Sequence, residues 1–327
     1  MSAVSARRAV SISGFVLAIG SAASFALSGI FASALMAAGW SAGAAVTTRV
    51  VFASLVLLPP TLIMLRGSWS QVRRAWKSIV MFGVLAVGVC QLAFFLAVQY
   101  IAPSLALLIE FMGPVLLMLF IWARTRRSPG GVTLVGAGIA VLGLIAVSGL
   151  AVGGALHPLG IFFGLLAAVG AASYFALGAK SDHGIAALPF TGLGLAVAAV
   201  VLVAASAFGV LPFAVSNADT TIAGAAVPAW VAVAGLVLIS TVLSYVLGVA
   251  AARRLGATVA SFTGYSEPMF GILWTIALLA IVPTGWQWVG AGLIIAGVVT
   301  VKIGESVSAR RRSARTSVSA PRRDRDH

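Results

Sequence analysis

The chain has 327 residues, 61% hydrophobic and 9% charged, with a net charge of +14 and a single cysteine, Cys90. Soluble domains run at roughly 45–50% apolar and about 25% charged, so no soluble fold covers this much apolar surface, and the solvent must be a bilayer. One cysteine excludes an internal disulfide, and the positive charge has to be read by position before nucleic acid is invoked.

A helix needs roughly 17–25 residues to cross about 30 Å of hydrocarbon. Cutting the apolar runs at polar or Gly/Pro breaks predicts ten spans, at 14–36, 43–65, 78–99, 103–123, 131–149, 158–179, 186–209, 228–251, 256–281 and 284–303. Residues 1–13 read as a cytoplasmic N-terminus, 14–149 and 158–303 as two five-helix units, and 304–327 as a disordered basic cytoplasmic tail. The first run is too long for the apolar region of a signal peptide and nine more follow, so it reads as a span.

Basic residues occupy alternate connections along the chain. Arg7 and Arg8 precede the first span, and Arg66, Arg73, Arg74 and Lys77 separate the second from the third. Arg124, Arg126 and Arg127 follow the fourth, Lys180 the sixth, and Arg253 and Arg254 the eighth. Lys302 and the seven arginines from Arg310 to Arg325 close the chain. The connections Ala37–Ser41, Leu150–His157 and Val210–Pro228 hold no Lys or Arg, and of all 21 basic residues only Arg49 does not lie on the one side, Lys302 standing at that end of the tenth span. The positive-inside rule then puts both termini in the cytoplasm of a multi-pass cell-membrane protein. The basic tail reads as a topology anchor against anionic lipid, with no nucleic-acid partner. Tryptophans agree: Trp40, Trp230, Trp286 and Trp288 fall near outer helix ends and Trp69, Trp76 and Trp122 near inner ones, as an aromatic belt requires. Trp274 lies outside that pattern.

The chain also repeats. Val132–Val147 realigns on Trp286–Val301, so that Gly136, Ala137, Gly138 and Gly143 fall on Gly290, Ala291, Gly292 and Gly297; Gly290 less Gly136 and Gly297 less Gly143 both give 154. The same offset lays Pro114 on Pro268 without a gap. Two copies of one hydrophobic unit are a signature of secondary transporters. An odd number of spans per copy inverts the second copy against the first, giving an all-α membrane fold of ten helices in two inverted five-helix repeats. The repeated glycines are read as packing residues of the fifth and tenth spans, not as ligands.

The stretch from Val242 through Arg253-Arg-Leu-Gly-Ala257 and Ser266-Glu-Pro-Met-Phe270 to Gly285–Gly297 resembles the second half of an EamA-type protein of the drug/metabolite transporter superfamily. Leu108-Ile-Glu-Phe-Met-Gly-Pro114 is similar to the fourth helix of threonine/homoserine exporters within that family, and Arg49 matches an arginine common there. The resemblance covers nearly the whole chain. It implies ten helices, a central cavity between the copies and export of small metabolites such as amino acids. Two departures bear on coupling. The turn Ile281–Gly285 lacks the acidic residue many members carry, and Ala18–Ser28 lacks the first-helix glutamate that small multidrug-resistance relatives use for proton exchange.

Ionisable groups at membrane depth cost at least about 2.5 kcal/mol each on translocon scales, and only Arg49, Glu110 and Glu267 lie there. At 1.5 Å per residue Glu110 sits roughly 10 Å from the outer edge, Arg49 roughly 9 Å, and Glu267 roughly 16 Å from the inner edge. Two readings of Arg49 and Glu110 stand: a structural ion pair between the second and fourth spans, or substrate contacts, Glu110 to an amino group and Arg49 to a carboxylate. Glu267 either binds substrate beside Pro268 or, protonated, caps a carbonyl that Pro268 leaves free. Softer candidates are Gln91 and Phe95 on one face of the third span, Tyr174 in the sixth, Ser244 and Tyr245 in the eighth, and Thr263 and Trp274 in the ninth. For the hydroxyls the alternative is a bond across helices, and for Trp274 it is packing.

The partners this predicts are a small-molecule substrate, the bilayer and a coupling ion that stays open between a proton and another, with no cofactor. No span holds a histidine or aspartate, and no phosphate-cradling Gly-x-x-x-x-Gly-Lys is present, which argues against an intramembrane enzyme or an ATP-driven pump. A channel would present a file of polar groups, whereas here they gather near mid-depth. An uncoupled facilitator and an importer remain the alternatives.

Overall fold

A computed structural model describes residues 3–101, 103–126, 128–148, 157–180, 184–279 and 284–318. The segments 150–156 and 281–283, Arg127 and the chain beyond 318, all of which figure in the reading above, lie outside the described residues.

Among the described residues the fold is all-α apart from one short hairpin. In chain order, α1 is Ala3–Ala37, α2 Ala42–Met64, α3 Trp69–Ala97, and α4 comes in two pieces, Pro103–Glu110 and Gly113–Thr125. Helix α5 is Gly131–Ser148, α6 Pro158–Gly178 and α7 Ala187–Ala207. Strands β1 (Thr220–Ile222) and β2 (Ala225–Val227) follow, and then α8, Ala229–Leu255. Helix α9 consists of Ala257–Thr263, a 3-10 turn Gly264–Ser266 and Glu267–Leu279, and α10 is Gly285–Val318. Eight of these are long and apolar enough to cross a membrane; α5 contributes a shorter apolar helix, Gly131–Ala146, and α9 is interrupted.

Local chemistry sets the boundaries. Ser41 caps α2, its hydroxyl accepting from the Ala44 N–H at 3.1 Å. Pro158 opens α6 in the first turn, where no N–H is needed. Gly256, at φ +80, makes the turn from α8 to α9. The hairpin turns on Ala223 and Gly224, both at positive φ (53 and 77).

Several expectations need correction. Helix α1 starts at Ala3 and α10 runs on to Val318, each beyond the bounds of the predicted span. The third span starts at Trp69 rather than 78, because a helix outlasts the hydrocarbon and carries Arg73, Arg74 and Lys77 on its first turns. The ninth span is broken at 264–266 and the fourth at 111–112, and Val210–Pro228 holds the hairpin rather than only loop.

The interruptions share the 154-residue offset. Pro114 and Pro268 each lack an N–H and crowd the carbonyl four residues back, at Glu110 and Gly264, which is where the two helices break. A π-helical stretch in α3, Phe82–Val89, maps onto 236–243, and α8 is π-helical over Gly235–Leu243. Single π segments of this kind often mark functional sites.

The packing is equally paired. The second helices of the two units, α2 and α7, pack together, as do the fifth, α5 and α10. Helix α1 packs on α8 and α9, and α6 packs on α3 and α4. Exchanging the two units reproduces this set of contacts. The α5–α10 contact is backbone to backbone: a methyl at Gly136 would lie 2.6 Å from the Val301 nitrogen, and one at Gly143 would lie 2.7 Å from that of Ile294. Large apolar side chains such as Phe120, Val135, Leu142 and Val200 face outward, and Trp69, Trp76, Trp122, Trp230, Trp286 and Trp288 are exposed at helix ends, as membrane solvation requires.

Candidate functional site

Between the two units lies a cavity of about 560 Å³, walled by α1, α2, α3, α4, α6, α8 and α9. That volume suits a compact organic solute. The two helix breaks face it, as does the π segment of α3 through Ala86. The carboxylates flank the break from opposite sides: Glu110 is the last residue of the first piece of α4, and Glu267 is the first residue after the turn in α9. Their counterparts at the 154 offset are Gly264 and Gly113. Gly264 lines the cavity, whereas Gly113 is closed off, a methyl there meeting Ala171 Cβ at 2.9 Å.

Seven of the ten residues singled out from sequence line this one cavity: Arg49, Gln91, Phe95, Glu110, Tyr174, Tyr245 and Glu267. The other three do not. Ser244 is buried and donates to the Ser240 and Thr241 carbonyls at 2.7 and 3.1 Å, satisfying the π segment. Thr263 donates to the Val259 carbonyl at 2.7 Å, and Trp274 donates its indole N–H to the Ala23 carbonyl at 2.8 Å. All three spend their donors on backbone carbonyls and lie off the cavity.

Of the two readings of Arg49 and Glu110, the direct ion pair is not formed among the described residues. The guanidinium of Arg49, 8% exposed, donates to the Ser28 hydroxyl at 2.5 Å, and its Nε is buried with no hydrogen-bond partner. Glu110 accepts instead from the Cys90 thiol at 3.4 Å, which is shared with the Ala167 carbonyl at 3.4 Å. Both charged side chains line the cavity, so open space lies where a salt bridge was expected. Equal height in the membrane is not contact.

Aromatic rings make up much of the inner wall. Phe25 packs edge-on to Tyr245 at 4.9 Å between centroids, Tyr245 meets Tyr174 at 5.5 Å, and Tyr174 meets Phe175 at 4.9 Å. The Tyr174 hydroxyl is buried, and a Cβ on Gly248 would run into it. Such a wall suits an apolar or cationic body. Sequence reasoning missed the contribution of α1, whose Ser21, Phe25, Ser28 and Ala32 line the cavity, and that of Cys90. Their helical spacing was readable, but none of them carries a charge. Among the described residues no group of His, Cys, Asp and Glu is arranged to hold a metal.

Comparison with known proteins agrees with this architecture. The sequence model of the EamA-like transporter family matches residues 12–149 and again 158–303. An uncharacterized inner membrane transporter, YicL, of Salmonella typhimurium is 25% identical over 272 residues, covering 81% of this chain and 85% of the relative. A solved structure described only as the crystal structure of a protein superimposes with a TM-score of 0.69 at 19% identity, covering 93% of this chain and 98% of that one. At that identity the likeness shows the fold alone.

Proposed function

We propose, from the premise that this chain belongs to the EamA-like transporter family, that it is a secondary exporter of small zwitterionic metabolites such as amino acids. It works by alternating access around the central cavity. Its ten helices all cross the inner membrane, with both termini cytoplasmic and the second five-helix unit inverted against the first.

The observation that carries the reading is a charge arrangement. Arg49, Glu110 and Glu267 line one largely apolar cavity, and among the described residues none is in a salt bridge. Unpaired charges at membrane depth are costly and mark substrate or ion paths. A solute that brings its own carboxylate to Arg49 and Ser28, and its own ammonium to Glu110 or Glu267, supplies the missing partners. The aromatic wall then takes its side chain. With two carboxylates against one cation, the empty cavity keeps an acidic group spare, which gives a proton somewhere to ride on the return step. The paired contacts of the two units support a mechanism in which they exchange roles.

The test is counterflow in proteoliposomes across a panel of amino acids, with and without a pH gradient. The expected result is accelerated exchange of a subset of the panel. Glu267→Gln should keep the fold, since the amide is nearly isosteric, but lose gradient-driven transport. Full gradient-driven transport by Glu267→Gln would remove that residue from the mechanism. Flux indifferent to any gradient would make the protein a facilitator.

A further inference from the structure

The two units differ in one respect that their shared frame makes visible. Helices α1 and α6 align at an offset of 146, fixed by two contacts. Gly14 meets Leu255 where Gly160 meets Ile101, and the Ser21 hydroxyl donates to the Ser244 carbonyl where the Cys90 thiol donates to the Ala167 carbonyl. In each case the α1/α6 partners differ by 146 and the others by 154. In this frame α6 is zipped onto α8 and α9. The Tyr174 hydroxyl lies over Gly248, Phe175 lies over Gly264 with a methyl there only 3.2 Å from its Cζ, and Gly178 meets Val249 at 3.6 Å.

The counterparts on the opposite side are parted. Gly29 is the counterpart of Phe175 and Glu110 that of Gly264, yet nothing lies within 4 Å of a methyl built on Gly29, and both residues line the cavity. Ala32 and Phe95 line the cavity, whereas their counterparts Gly178 and Val249 meet each other off it, and Ser28 and Phe94 line it as do their counterparts Tyr174 and Gly248. Beyond the zipped side sits a clamp with no counterpart. Arg253 donates to the Ile185 carbonyl at 2.6 Å and to the Gly178 carbonyl at 3.4 Å, and its guanidinium lies 5.3 Å from the centroid of the Phe190 ring. Its counterpart, Gln99, is exposed and uncharged.

We propose that Phe175 on Gly264, flanked by Tyr174 on Gly248 and clamped by Arg253, is the cytoplasmic gate, and that Gly29 and Glu110 form the outer gate, seen here open. Transport then alternates between one zipper and the other, and Glu110 leaves the cavity wall to close on α1 at Gly29. The absence of a side chain at Gly29 and of a cation at Gln99 makes the outer gate the weaker one. The assignment of sides rests on the topology proposed above.

The experiment measures thiol labelling by an impermeant reagent in right-side-out and inside-out vesicles. Reporters are Ala32→Cys, on the cavity wall of the open side, and Val249→Cys, buried in the closed zipper against Gly178 and off the cavity, each in a Cys90→Ala background. Phe175→Ala should raise labelling of the inner reporter about tenfold and lower that of the outer one, as a two-state shift demands. Gly29→Phe, which supplies the missing gate side chain, should do the reverse, and Arg253→Lys should fall between Arg253→Gln and the parent. Changes of the same sign at both reporters mean a loosened fold and overturn the proposal, as does no change at either. Reciprocal shifts in a protein that moves no solute would leave the gates standing and sink the transport reading instead. Solute flux without reciprocal shifts would do the opposite.

Discussion

The glycines of the α5–α10 contact allow a test whose control is built into the same tripeptide. Gly136 and Gly138 flank Ala137, and both have counterparts in α10, so repeat alignment treats them alike. The structure does not. A methyl on Gly136 would lie 2.6 Å from the Val301 nitrogen and 2.9 Å from the Gly297 carbonyl oxygen, while one on Gly138 meets nothing within 4 Å. On α10, a methyl on Gly297 would lie 2.5 Å from the Ala140 nitrogen, and one on Gly292 meets nothing. Backbone atoms cannot rotate aside, so restoring an ordinary contact requires the helices to part by roughly 1 Å, with an overpacking cost of about 1–3 kcal/mol per site. Against this stands the helix propensity gained when Gly becomes Ala, about 1 kcal/mol. Gly136→Ala with Gly297→Ala should therefore lose on the order of 2 kcal/mol, and Gly138→Ala with Gly292→Ala should gain a comparable amount. Melting temperatures of the purified protein, in detergent and in lipid nanodiscs, read the difference directly. Equal shifts for the two double variants would refute the reasoning, because face, not residue type, is what it turns on.

Three further outcomes are expected. Arg49→Gln and Glu110→Gln should act independently on melting temperature, with neither paying the roughly 3–5 kcal/mol of a broken buried pair; a double variant more stable than the sum of the singles would restore the ion pair. Gly248→Ala should abolish transport by driving the Tyr174 ring into the cavity, whereas Gly271→Ala, which lines the cavity with open space around it, should transport normally; a solute-flux assay separates them. Cysteines at Ser216 and Ser313 in a Cys90→Ala background should label from outside intact cells only at Ser216, and external labelling at Ser313 would overturn the topology.

Much of the fold was legible because membrane solvation leaves few choices: long apolar runs and alternating basic connections force the helices and suggest their direction. The offset of 154 was legible because α3 to α5 and α8 to α10 have equal lengths. The offset of 146 between α1 and α6 was not, because the second unit carries eight more residues before its third helix, the length of the segment Thr220–Val227 that forms the hairpin. Periodicity placed Arg49, Glu110 and Glu267 at plausible depths but gave no rotation about the helix axes. Hence the ion pair failed although all three reached the cavity. Ser21, Phe25 and Ser28 escaped because a search for costly groups overlooks cheap ones, although a wall that binds solute needs both.

What separates the two units is more telling than what they share. Both have a π segment in the third helix and a proline-induced break in the fourth, so both can bend in the same places. At the break, however, the first unit puts its carboxylate before the turn, at Glu110, and the second puts it after, at Glu267. Each is answered by a glycine in the other unit. A strictly symmetric pair would offer either two like charges at equivalent positions or none, and would bind an asymmetric solute equally well in two orientations. Staggering the carboxylates across the break, and placing Arg49 on α2 alone, makes the cavity asymmetric, so that on the proposed reading a zwitterion's carboxylate has one partner and its ammonium two inequivalent ones. Exchanging the features, Glu110→Gly with Gly264→Glu, must push Phe175 off α9, since a methyl at Gly264 already lies 3.2 Å from its Cζ, and should reverse or abolish solute selectivity, read as the ranking of amino acids in counterflow. An unchanged ranking would mean that the carboxylates serve the coupling ion alone and that the aromatic wall and Arg49 choose the solute.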